Sequence, residues 1–138
     1  MSRKIARENA FQLIFEYNFT HNNTTDSLDN FLSNDELSDD DREFIKKIYF
    51  GVISKYDELI DTIKHYSHNY DLNRIFKVDV AILLLAIYEL KYVDEVPPKV
   101  AINEAVSIVK KFSTDKSHQF VNGILAGIMK DMENNGNN

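Results

Sequence analysis

An all-α bundle of about seven helices is the fold class this sequence predicts, and three observations predict it. Glycine occurs 4 times and proline twice in 138 residues, so helix-breaking positions are few. Apolar residues recur at helical spacing along nearly the whole chain. No alternating strand pattern survives more than a few residues. The length and the 43% hydrophobic content suit one globular domain over residues 1–133, with "NNGNN" at 134–138 as a frayed, disordered tail.

The first helix runs from Ser2, an N-cap residue, to about Phe19. "THNNTTDS" at 20–27 breaks it, because Asn, Thr and Asp side chains compete for backbone hydrogen bonds. A short helix follows near 27–33, and "SNDELSDDD" is the next break. Ser38 then caps a helix over 39–54 whose acidic first turn suits the helix dipole, with Phe44, Ile45, Ile48 and Val52 turned inward. Leu59, Ile60, Ile63 and Tyr66 mark another helix over 55–68. "NYDLNR" at 69–74 reads as a turn. The segment 77–93 is apolar almost all round, the mark of a central buried helix. "EVPPK" stops it, and Pro98 suits the first turn of a helix over 98–112. The last helix starts at Ser113 or Thr114 and ends near Glu133.

Net charge is −6, yet it is unevenly spread. Residues 26–43 hold eight carboxylates against Arg42 alone, while the remainder carries 15 basic and 14 acidic residues. Arg3, Lys4 and Arg7 open the chain with no acid among residues 1–7, so a local basic patch survives the acidic total. Cysteine is absent, which excludes disulfides and zinc–thiolate sites and fits a reducing compartment. No apolar h-region follows the basic start, and the longest apolar run, "VAILLLAIY", is too short to span a bilayer. A soluble cytoplasmic protein that binds no membrane is the expectation.

The candidates for catalysis and metal binding are weak. Ser117-His118 looks like half a hydrolase triad, but helix neighbours point about 100° apart, and no Gly-x-Ser-x-Gly elbow occurs. His65 and His68 share a helix face without the further ligands a zinc site needs. His21 suits the C-terminal dipole of the first helix. "DELSDDD" lacks the spacing of a calcium loop, and no Gly-rich phosphate loop is present. The expectation is a protein that is not an enzyme, with no cofactor and no metal.

Binding features are better marked. Arg3-Arg7-Phe11-Phe15-Phe19 recur every four residues on the first helix, beside a core stripe of Ala6, Ala10, Leu13, Ile14 and Tyr17. Such a row can hold phosphates at its start and a protein partner along its length, or it can bury against neighbouring helices. On the last helix, Val121, Ile124, Leu125, Ile128 and Met132 face the core, with Ser117 and His118 at the stripe's edge. Lys116, Phe120, Gly123 and Gly127 fall on another flank, where the glycines suggest close approach of a backbone or ligand. A lysine one turn before an aromatic suits a splayed RNA base and its phosphate; the alternative is a phenylalanine closing the bundle edge.

"VPPKVAINEAVSIVKKFSTDKSHQFVNGILAGI" at 96–128 resembles the C-terminal signature of the NusB transcription antitermination family. "VDVAILLLAIYEL" at 78–90 and "SRKIARENAFQLIFEY" at 2–17 are similar to its matching segments, in the same order. The resemblance implies two packed three-helix bundles and no catalytic activity. It implies pairing with ribosomal protein NusE and binding of the pair to boxA RNA. It also implies a larger complex with NusA, NusG and RNA polymerase that suppresses termination in rRNA operons. By position, Arg3, Lys4, Arg7, Lys116, Gln119 and Phe120 match RNA-facing segments, and Phe15, Phe19 and Asp79 match positions facing NusE. Two other readings remain: the RNA-binding part of an rRNA cytosine methyltransferase, which would need a further domain with a catalytic cysteine, and a scaffold whose aromatic row forms a homodimer without the partner.

Overall fold

The computed structural model describes residues 2–21, 25–68 and 74–136. Its elements among the described residues are seven α-helices: α1 (Ser2–Thr20), α2 (Thr25–Leu32), α3 (Asp39–Ser54), α4 (Tyr56–Ser67), α5 (Lys77–Tyr92), α6 (Pro98–Phe112) and α7 (Asp115–Gly136). The turn expected over 69–74 lies, apart from Arg74, outside the described residues.

Local chemistry sets most of the boundaries. Ser38 is extended, with φ −75° and ψ 166°, and its hydroxyl accepts a 3.0 Å bond from the Asp41 amide, closing the first turn of α3. Thr114 does the same for α7, accepting from the Ser117 amide at 3.2 Å. Pro98 stands in the first turn of α6. His21 and His68 follow α1 and α4 in the left-handed region, at φ 52° and 55°. Beyond any dipole effect, His21 packs its ring between Tyr17 and Tyr56, with centroids 5.7 and 5.3 Å away. Several boundaries differ from expectation, and α2 begins at Thr25, inside the stretch read as a break. Ser2 is itself helical, and α7 runs on through Asn134 and Asn135 to Gly136 where the composition suggested a frayed tail.

Packing gives two three-helix groups, α1 with α2 and α3, and α5 with α6 and α7. α5 also lies against α1, α3 and α4, so it is the hub of the molecule. Val80 to Ile87 are buried on every side, which is why that segment shows no polar face. Each fully buried Leu or Ile side chain contributes about 1.5–3 kcal/mol by leaving water. α4 is held to α5 by a Tyr92–Glu58 hydrogen bond and to α7 by Tyr66–Asp131. Bonding to Glu58 pushes the Tyr92 phenol up to about 12. Among the described residues no helix is long and apolar enough to cross a membrane.

One glycine marks a close approach between helices. A methyl group on Gly51 of α3 would fall 2.1 Å from the Tyr88 ring carbon that bears the hydroxyl, so the Tyr88 ring fills the place of a side chain there. Outside its own helix, Gly123 has no atom of the described residues within 4 Å of that position, and at Gly127 the nearest is a ring carbon of Tyr66 at 3.4 Å. Among the described residues no other backbone approaches either of these two. Gly123 instead leaves bare helix facing outward.

Candidate functional site

The basic opening of α1 is partly neutralised from within. Arg3 lays its guanidinium 4.2 Å from the centre of the Phe44 ring, bonding Asp41 through Nε at 3.0 Å and Asp40 through Nη2 at 2.7 Å. Lys4 is exposed and carries no ion pair among the described residues. Arg7 is a correction to the expected RNA-facing row. It is 5% exposed and makes a two-pronged ion pair with Glu89 of α5, with Nε–Oε1 and Nη2–Oε2 both 3.0 Å. A buried guanidinium already matched to a carboxylate presents nothing to a phosphate. Burial pushes the Glu89 carboxyl up from its ordinary range, against the opposing pull of Arg7.

The aromatic row divides along its length. Phe11 is buried against Phe112, with ring centroids 5.1 Å apart, and belongs to the core. Phe15 is half-buried, and Phe19 stands edge-on to it at 5.0 Å while remaining 58% exposed. The row therefore passes from core at Phe11 to surface at Phe19 along one helix.

Asp79 is the second correction, because it does not lie on an open face. It is 3% exposed, and its two oxygens accept from Ser113 at 2.7 Å and Ser117 at 2.6 Å. With the Ser117 proton committed to Asp79, the Thr114 hydroxyl is the donor in its 3.0 Å contact with Ser117. Asp79 thus pins the α6–α7 turn to the start of α5. It forms part of the wall of a groove of about 550 Å³ whose other lining includes Arg74, Phe76, Lys116 and Phe120. Ser117 serves this hydroxyl network, and His118 forms no triad with it.

Lys116 and Gln119 are exposed, and Phe120 is half-buried. Phe120 is a ridge shared by the first groove and a second of about 380 Å³, formed with Tyr66, His68, Gln119, Gly123 and Gly127. Contacts link this ridge to α1: Lys111 pairs with Glu8 at 2.7 Å, Phe112 meets Phe11, and Ser113 begins the turn into α7. Sequence reading missed Arg74 and Phe76, the latter 58% exposed. Phe76, an aromatic just ahead of the buried helix, was the available signal. No group of three or more His, Asp or Glu among the described residues is arranged to hold a metal.

The NusB family profile matches residues 4–130. Transcription antitermination protein NusB of Finegoldia magna is 37% identical over 134 residues, covering 97% of this chain and 98% of that protein. Its counterpart in Clostridium botulinum is 41% identical over 132 residues, covering 94% and 99%. The solved NusB of T. maritima superposes with a TM-score of 0.86 at 30% identity, over 94% of this chain and 92% of that one. A structure of NusB and NusE in complex with dsRNA shares the fold, with a TM-score of 0.83 at 24% identity over 94% and 97%. On the match along nearly its whole length, the chain belongs to the NusB family.

Proposed function

We propose that this chain is an antitermination factor that pairs with ribosomal protein NusE and binds boxA-type single-stranded RNA in rRNA operon transcripts, within a complex that also holds NusA, NusG and RNA polymerase. The observation that carries the reading is the Lys116–Gln119–Phe120 ridge between two grooves beside the bare backbone of Gly123. A cation, an amide and a ring edged by open space suit a phosphate, a base edge and a stacked base. Lys4 and the exposed part of Arg3 offer further cations at the start of α1, and Asp79 holds the turn that presents Lys116. Phe15 and Phe19 offer NusE an aromatic anchor of the kind that dominates protein interfaces. The solved NusB held with NusE and dsRNA supports NusE and RNA as the partner classes.

The test is a titration of the chain, alone and with NusE, against boxA RNA, a scrambled strand and a duplex of the same sequence. Binding should favour boxA and tighten with NusE. Lys116→Glu should weaken it and flatten the salt dependence by about 0.7 in log–log slope per lost phosphate contact. Phe120→Ala should cost about 1–3 kcal/mol, the value of one stacked base. Equal binding of the scrambled strand sinks the boxA assignment. Preference for the duplex moves the ligand to double-stranded RNA. Full-strength NusE capture by Phe15→Ala removes the aromatic row from the partner face.

A further inference from the structure

We infer that the acidic first turn of α3 is a built-in brake on RNA binding, with Asp40 and Asp41 occupying Arg3 in the place of a phosphate. The inference rests on the RNA reading above and concerns its regulation. A guanidinium recognises phosphate and carboxylate with the same fork of N–H donors, so one edge serves either but not both. On Arg3 the Nε–Nη2 edge is already taken, by Asp41 at 3.0 Å and Asp40 at 2.7 Å, and Phe44 covers one face. Arg3 thus has carboxylates on both of these nitrogens. Asp39 stands one residue further out, fully exposed and bonded to Arg42 at 3.1 Å.

The two carboxylates differ in how easily they yield. Asp41 is 3% exposed and stays with Arg3, anchoring it against α3. Asp40 is 86% exposed, and a solvated ion pair of that kind contributes little net attraction. A phosphate can therefore displace Asp40 from Nη2, but it must do so within a few ångströms of the carboxylate it displaces. That repulsion acts inside the screening length, about 8–10 Å at physiological salt, and fades as salt rises. The acid-rich segment and the basic start of α1, far apart in sequence, thus meet where the RNA is to be gripped.

The experiment measures affinity for a single-stranded boxA oligoribonucleotide in five proteins: the unaltered chain, Asp40→Asn, Arg3→Ala, the double variant and Lys116→Glu, each checked for unaltered helical circular dichroism. Asp40→Asn should bind roughly 3- to 10-fold tighter at low salt and converge with the unaltered chain at high salt, the behaviour of a screened exposed charge. In the Arg3→Ala background the gain should vanish, since the pair it acts on is gone. An unchanged or weaker affinity for Asp40→Asn, with Lys116→Glu still impaired, overturns the brake and leaves the RNA reading standing. A gain that persists without Arg3 also overturns it, because it would then be a general field effect. Absence of binding in every protein, Lys116→Glu included, overturns both.

Discussion

Arg7, Asp79 and Arg3 are charged side chains whose surroundings decide their roles. Arg7 sits one helical turn after Arg3 on one face, yet it meets a carboxylate 82 residues away and leaves the surface. Asp79 is likewise drawn inward by two hydroxyls from the α6–α7 turn. Replacing it by alanine strands Ser113 and Ser117 without their acceptor, at a cost of about 1–3 kcal/mol. Urea denaturation of Asp79→Ala should show that loss, and RNA affinity should fall with it as the turn that presents Lys116 loosens. Asp79→Asn retains an acceptor and should lose less. The sequence showed which residues carry charge on these faces, but not which were already paired, because every partner lies far along the chain.

At the scale of elements, boundaries were the most legible feature, because caps act over three residues. Ser38 was read from the sequence as a cap, and Thr114 as one of two candidates with Ser113; each accepts an amide of its helix's first turn. Ser38→Ala should therefore destabilise the protein by about 1 kcal/mol, seen as a lower denaturation midpoint with an unchanged slope. The end of α7 was missed, since Asn and Gly composition argues for a tail and the helix continues regardless. The α1–α5 contact rests on Arg7 and Glu89 as well as on apolar packing. Glu89→Gln leaves a buried guanidinium with a neutral partner, and breaking such a pair costs about 3–5 kcal/mol. Thermal and chemical melts should register that drop, against a smaller one for the exposed Lys47→Ala at its pair with Glu95.

Across the whole molecule, stability should depend most on α5, which touches both helix groups. Leu84 is fully buried at the middle of it, and Leu84→Ala should cost about 2–5 kcal/mol from lost burial and the cavity left behind. A calorimetric loss near that of an exposed substitution, such as Val100→Ala, would show that the hub can collapse around the gap. By itself the sequence determined the all-α class, nearly every helix, the buried character of α5 and the family, because helix periodicity, caps and contiguous motifs are written within a few residues of one another. Only the tertiary structure decided that Arg7 and Asp79 lie inside, that the aromatic row splits between core and surface, that Phe120 separates two grooves, and that Asp40 reaches Arg3. Each of those depends on side chains brought together from distant helices, and burial in the shared core sets which charges are matched and which remain free to meet a ligand.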